Sequence, residues 1–394
     1  MSTDTDTAGR RATYLTEDRL AIQALAREFV AKEVLPVANE LDPVAGEIPA
    51  ALRRKMADLG FFGILIPEEY GGLGMGVFEY AIVVEELARG WMSVASIIAR
   101  GQQFTQGFDD EQRAKYLPLM ATGDFLSAFA LSEADAGSDV ANMRCRAERD
   151  ADGWRISGQK MWCTFADGSD YLQVFARTGP LGTDPKRRSD GISCFLMPKP
   201  RGALPEGVTG NPVRKIGYHG WKTWELSFDN AYVAPGMMLG EEGKGFAIAM
   251  SDLDIARIHT AARAIGLARG ALEDSIDYAR QRVQFGKPIA DKQVIRFKIA
   301  DMATQIEAAR ALMYQTCAEV DAGQRTSVKA SMVKQFATEM AERVTSEGIQ
   351  IHGGAGYTTD FAVERYWRDA RLTKIFEGTS EIQLKIISDA LLGR

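Results

Sequence analysis

The sequence predicts an α+β fold: a helical domain, a β domain and then a helical bundle. Three observations carry this. Apolar residues recur at helical spacing to about residue 127, shift to short β-rich or alternating runs to about 238, and return to helical spacing beyond. Helices and strands are therefore segregated rather than interleaved as βαβ units. At 394 residues the chain also exceeds one comfortable core, so two or three domains are expected. The expected organisation is a disordered tail over 1–13, a helical domain over 14–127, a β domain over 128–238 and a helical bundle over 239–394.

Within the first domain, Thr16, Glu17 and Asp18 offer an N-cap and first-turn acids ahead of Ile22, Leu25, Ala26, Phe29 and Val30. Leu52, Met56 and Leu59 continue the helical period until Pro67-Glu68-Glu69-Tyr70-Gly71-Gly72 breaks it. Further helices are predicted near 77–89 and 109–122. In the second domain, Asp152-Gly153 marks a tight turn before Trp154, Ile156 and the Met161-Trp162-Cys163-Thr164 run. Residues 171–175 and 192–196 are short β-rich runs, and Trp224, Leu226 and Phe228 alternate with polar residues as in a half-buried strand. Lys186-Arg187-Arg188 between strands reads as a solvated turn. In the third, long helical stretches lie near 245–282, 291–322 and 326–351. Gly353-Gly354-Ala355-Gly356 then precedes a last pair of short helices.

The net charge of −6 argues against a nucleic-acid binder, which needs a basic footprint. The start of the sequence has no apolar core of a secretory signal, and no apolar run approaches bilayer length, so neither export nor membrane insertion is expected. The expected location is cytoplasmic. Cys145, Cys163, Cys194 and Cys317 are scattered without metal spacing and read as structural thiols. His219, His259 and His352 show no HExxH pattern, so no metal site is expected and a Ser-His-Asp triad is a poor starting point. Neither glycine cluster, at 71–76 or 353–356, sits between a strand and the helix that a nucleotide loop must open. The first reads as turns needing positive φ or close backbone approach.

Three stretches in order carry a resemblance over nearly the whole chain. They are Leu131-Ser132-Glu133-Ala134-Asp135-Ala136-Gly137-Ser138-Asp139, then Tyr278 to Ile289 with Arg282 and Phe285-Gly286-Lys287-Pro288, and then Gln350 through Gly353-Gly354-Ala355-Gly356-Tyr357 and Arg368 to Glu377-Gly378-Thr379. Together they resemble the acyl-CoA dehydrogenase family. The resemblance implies a barrel- or sandwich-like β domain, a C-terminal four-helix bundle, bound FAD and usually a homotetramer, with a dimer as the alternative. It places Phe129, Leu131 and Ser132 against the flavin pyrimidine edge, and Trp162 and Thr164 beside the flavin ring. Ser138 falls where the flavin pyrophosphate and the substrate pantetheine pass. Arg282, Gln284, Phe285, Gln293, Gln350, Gly353 and Gly354 serve the ADP half of a cofactor shared between subunits, and Thr379 and Glu381 join the cofactor site. An arginine suits a pyrophosphate because its planar fork pairs two oxygens. Asp254 and Arg257 match the substrate-proximal helix, where a plain i,i+3 ion pair is the alternative reading.

The implied reaction is α,β-dehydrogenation of an acyl-CoA thioester to a trans-2-enoyl-CoA. Glu377 would be the base, and its backbone N–H would bind the thioester oxygen. Gly378 would permit close substrate approach. Some relatives carry the base on the preceding helix, but that place is Ala256 here. An electron-transferring flavoprotein is the implied electron acceptor. The alternatives are a flavin oxidase or monooxygenase of the same fold, a dehydrogenase of carrier-protein-bound acyl groups, and a non-catalytic relative. Departures from the family pattern at Ala134, Phe165-Ala166-Asp167, Gly217 to Thr223 and Arg100 to Phe104 bear on the acyl group. The polar Gln102-Gln103 pair suggests a short, cyclic or polar-substituted acyl chain.

Overall fold

The computed structural model describes residues 14–102, 105–182, 184, 187–251 and 253–393. The tail over 1–13 and the residues Gln103, Phe104 and Lys186 lie outside them. In chain order the first helices are α1 (Glu17–Phe29), α2 (Leu35–Leu41), α3 (Ala50–Asp58), α4 (Val77–Gly90), α5 (Met92–Ile97) and α6 (Asp110–Ala121). The later ones are α7 (Gly245–Ser251), α8 (Leu253–Gln281), α9 (Gln293–Asp321), α10 (Ser327–His352), α11 (Val363–Thr373) and α12 (Ser380–Leu392). Eight strands of one sheet fall between α6 and α7: β1 (Ser127–Ala130), β2 (Arg146–Asp150), β3 (Gly153–Thr164), β4 (Tyr171–Arg177), β5 (Ile192–Pro198), β6 (Val208–Pro212), β7 (Thr223–Val233) and β8 (Met238–Leu239). The segregation of helices from strands is as the sequence predicts. The chain forms two compact units.

The helical unit takes the described residues of Met1–Gly46, Met75–Ser96 and Asp254–Arg394. Thr16 caps α1 by accepting from the Arg19 N–H at 3.3 Å. A wider π turn over Val30–Val34 leads into α2, where Pro36 has no N–H to donate. Helix α4 is buried around most of its circumference. Its first N–H groups, on Val77 and Phe78, donate to the Asp321 carboxylate at 2.7 and 3.1 Å. Helix α8 is buried without interruption from Ala256 to Ala271 and meets α4 at Gly266. A Cβ there would stand 2.3 Å from the Glu85 carbonyl oxygen, so only glycine permits this approach.

Such burial encloses charge. Glu85 and Glu86, on α4, are both buried; Arg310 meets Glu85 at 2.9 Å, and Arg269 meets Glu86 at 2.6 Å. Arg27 reaches Glu86 as well, at 2.9 Å. Burial alone would push the Glu86 carboxyl up, but Arg269 and Arg27 outweigh it and hold it below its ordinary value.

The β unit takes Glu47–Gly74 and the described residues of Ile97–Leu253. Its strands run in the order β6-β7-β3-β2-β4-β5-β8, with β1 parallel to β4. The Asp152-Gly153 turn joins β2 to β3 as predicted, with Asp150 opposite Gly153. Strands β3 and β7 pair antiparallel with irregularities between Ile156 and Gly158 and between Lys160 and Cys163. One sheet core holds Trp154, Ile156, Phe195 and Phe228. A second joins α6 to the sheet through stacked Tyr116, Phe125 and Tyr171, whose successive ring centroids are 4.5 Å apart. The glycines of the first cluster behave as turn residues: Gly71 and Gly74 have φ of 79° and 58°, and a Cβ on Gly72 would stand 2.0 Å from the Ile66 carbonyl oxygen.

Candidate active site

In the helical unit the chain between α11 and α12 carries Glu377 with φ of 53° and Gly378 with φ of 89°. The second value suits glycine; the first is left-handed backbone that an ordinary side chain adopts only under constraint from its surroundings. That constraint is visible. The Gly378 carbonyl accepts from Lys334 Nζ and from Gln383 Nε2. Lys334 is fully buried on α10, and desolvation pushes its ammonium down to about 8 although Glu377 opposes the shift.

The Glu377 carboxylate faces α8. Its Oε1 accepts from Arg263 Nη2 at 2.8 Å, and its Oε2 accepts from the Thr260 hydroxyl. Thr260 and Arg263 follow Arg257 at intervals of one turn, a spacing visible in the sequence but not assigned from it. Arg263 Nη1 donates to Ser96 Oγ at 2.7 Å, and the guanidinium lies 4.6 Å over the Phe376 ring. His259 Nε2 meets the Ala95 carbonyl oxygen at 3.1 Å. The Glu377 side chain remains 31% exposed, whereas that of Arg263 is 1% exposed. Desolvation raises the Glu377 carboxyl, and Arg263, His259 and the Thr260 hydroxyl together hold it below the ordinary 4.5. The cluster is thus an ionised carboxylate on strained backbone, partly open to solvent and held from behind.

On the same unit Asp254 and Arg257 form the i,i+3 ion pair at 2.9 Å. Arg257 also donates to Ser327 Oγ at 3.2 Å, while its buried Nε has no partner. Arg282, Gln284, Gln293, Gln350, Gly353 and Gly354 are exposed, and Phe285 is 94% exposed with φ of 54°. Thr379 caps α12, accepting from the Ile382 N–H at 3.4 Å, and Glu381 lies exposed in that helix's first turn.

In the β unit the loop after β1 is anchored from beneath. Lys160, fully buried, donates to the Leu131 carbonyl at 3.0 Å and to Glu133 at 2.9 Å. The Glu133 carboxylate also accepts from the N–H groups of Arg144 and Cys145 at 2.7 and 2.8 Å, and the Ser132 carbonyl accepts from the Met161 N–H at 2.8 Å. Glu133 belongs to the motif that follows β1, whereas nothing local in the sequence marks Lys160 as its partner. Ser138 is exposed, and Phe129 packs on Phe175 at 4.9 Å. The second β3 irregularity turns Trp162 outward, with φ of 64° and 56% exposure. Thr164 Oγ1 is shared with Thr223 Oγ1 at 3.0 Å. Gln102 corrects an expectation: its amide is spent on the backbone of Phe61, Leu65 and Ile98, so it gives no reason to infer a polar acyl chain. All four cysteines are free and buried, and no metal-binding cluster exists among the described residues. Among these residues no helix is long and apolar enough to cross a membrane.

The helical unit thus holds a strained, ionised carboxylate and the β unit an outward indole, and sequence comparison identifies the class of oxidoreductase that carries both. The chain belongs to the acyl-CoA dehydrogenase family: its N-terminal, middle and C-terminal domain models match residues 16–124, 128–231 and 243–392. An acyl-CoA dehydrogenase of Bacillus subtilis is 42% identical over 96% of this chain and 99% of its own length. A 3-(aryl)acrylate reductase of Clostridium sporogenes is 39% identical over 96% of this chain and all of its own. The butyryl-CoA dehydrogenase structure from Megasphaera elsdenii superposes with a TM-score of 0.89 at 37% identity, covering 96% of this chain and 99% of that one.

Proposed function

We propose that this protein dehydrogenates an acyl-CoA thioester to its trans-2-enoyl form, with Glu377 as the base. The observation that carries this is the Glu377 carboxylate itself: ionised, partly open to solvent and fixed on left-handed backbone in a family of dehydrogenases. Glu377 takes the α-proton, and its backbone N–H binds the thioester oxygen as enolate charge develops; the missing Cβ of Gly378 makes room for Gln383 Nε2, which would otherwise stand 2.6 Å from it. Thr260 and Arg263 keep the carboxylate aimed. Asp254, Arg257 and Ser138 complete the substrate contacts.

The residues present fit FAD. Positive φ at a residue other than glycine signals imposed backbone, and Trp162 and Phe285 both have it with their rings exposed. Nothing lies within 4 Å of a Cβ built on Gly353 or Gly354, so a ligand can approach that backbone closely. Phe129, Leu131, Ser132, Ser138, Trp162 and Thr164 would hold the flavin half. Arg282, Gln284, Phe285, Gln293, Gln350, Gly353, Gly354, Thr379 and Glu381 would serve the rest. Bound FAD supplies the acceptor for the hydrogen leaving the β-carbon. The exposed ADP-site residues support sharing across a homotetramer. An electron-transferring flavoprotein as acceptor, a cytoplasmic location and domains at 14–127, 128–238 and 239–394 complete the proposal.

The reductase relative supports a second reading, in which the same groups run in reverse and Glu377 returns the proton. Glu377→Gln tests the reading. FAD and ligand binding should survive, and anaerobic bleaching of the flavin band by acyl-CoA should slow by about 10²–10⁴-fold. Bleaching at the wild-type rate would remove Glu377 from the mechanism.

A further inference from the structure

We infer that Lys334 is a positioning residue for the proposed dehydrogenation: through the Gly378 carbonyl, its ammonium holds Glu377 and Gly378 in the left-handed conformation that aims the base. This rests on Glu377 being the base. The carboxylate and the backbone N–H of one residue lie on opposite sides of its N–Cα bond, so φ sets how the two face each other. In the proposed reaction both must meet one thioester, the carboxylate at the α-proton and the N–H at the oxygen. The φ of 53° at Glu377 is therefore part of the chemistry. Released from constraint, a glutamate returns to negative φ, and that rotation of about 100° or more would part the carboxylate from the N–H.

Two donors converge on the Gly378 carbonyl: Lys334 Nζ at 2.5 Å and Gln383 Nε2 at 3.0 Å. Gln383 belongs to α12, the helix that the turn itself opens, so it moves with the turn. Lys334 belongs to α10, a separate element, and ties the turn to the body of the unit. Its side chain is fully buried and makes no ion pair among the described residues, so the Gly378 carbonyl is what its ammonium serves. A charge-assisted bond of this kind is about twice as strong as a neutral one. The charge is also conditional. Desolvation pushes the ammonium down to about 8, and Arg263 and Arg257 on α8 act the same way. Glu377 in the turn and Glu339 on α10 oppose them, and Glu381 on α12 also feels the charge. The ammonium therefore prevails at neutral pH and is lost as pH rises through about 8, leaving an amine that donates more weakly. Glu377 is held below 4.5, so the base itself does not titrate in that range.

The test follows anaerobic bleaching of the FAD-loaded enzyme by saturating butyryl-CoA and 3-phenylpropionyl-CoA across neutral and alkaline pH, in wild type, Lys334→Gln and Lys334→Met. The wild-type rate should be level around neutrality and fall above about pH 8. Lys334→Met should slow bleaching at neutral pH by about 10²-fold, the usual loss when reacting groups are misplaced by a small distance. Lys334→Gln keeps a neutral donor, so it should recover part of that loss and show no fall above pH 8. A lysine that only supports the fold would, on replacement, lower the Tm and FAD occupancy yet leave the alkaline fall in the molecules that remain folded, which overturns the inference. A wild-type rate that stays level through the alkaline range overturns it too, even where both variants fail to fold. Wild type left unbleached at every pH instead overturns the dehydrogenase reading itself, and the inference falls with it.

Discussion

Lys160 shows what a single side chain can hold. Its ammonium is sealed beneath the loop that follows β1, and it satisfies both the Leu131 carbonyl and the Glu133 carboxylate. Lys160→Met would fill a similar volume but leave a nearly buried carboxylate without its cation. The expected loss is about 3–5 kcal/mol, read from urea unfolding, with flavin occupancy falling in parallel as the loop loosens. Lys160 and Arg263 were illegible in the sequence for one reason. A charged residue inside an apolar run ordinarily marks a solvated face, and nothing local reveals a partner dozens of residues away. Glu377 and Trp162 were legible because flanking motifs surround them, although their left-handed backbone was not.

At the scale of elements the helix periods read well. The stretch predicted near 77–89 forms as Val77–Gly90, and that near 326–351 as Ser327–His352. What the pattern could not supply is how α4 begins, because Gly76 has no side chain to cap it and the acceptor is Asp321, far along the chain. Asp321→Ala should leave those N–H groups unmet and cost about 0.5–2 kcal/mol. Amide exchange at Val77 and Phe78 should accelerate relative to the rest of α4, and unchanged exchange there would refute the cap. The β3 irregularities were equally hidden. Alternation predicts which face a strand residue takes, and an irregularity exists by interrupting that alternation.

At the scale of the molecule, acid should unfold the protein through its paired carboxylates. Glu86 and Glu377 both sit below their ordinary 4.5 when folded. Each therefore stabilises the fold above the unfolded value, and that stability is lost as pH falls through the lowered folded values. The melting temperature should be level near neutrality and drop progressively below about pH 4.5. Glu86→Gln should flatten that drop while lowering stability at neutral pH. A melting temperature indifferent to pH between neutrality and pH 3, about where such carboxylates protonate, would exclude this source of stability.

The Glu85 carboxylate also sets an order on biosynthesis. Its partners, Arg269 and Arg310, lie far downstream in the chain. At roughly 5–20 residues per second a ribosome takes on the order of ten to forty-five seconds to travel from Glu85 to Arg310. During that interval α4 cannot bury the acid without leaving it uncompensated, so the amino-terminal segment must wait in an open state. Nascent chains released before Arg310 should accordingly depend on chaperones, while the finished chain needs none to keep α4 in place.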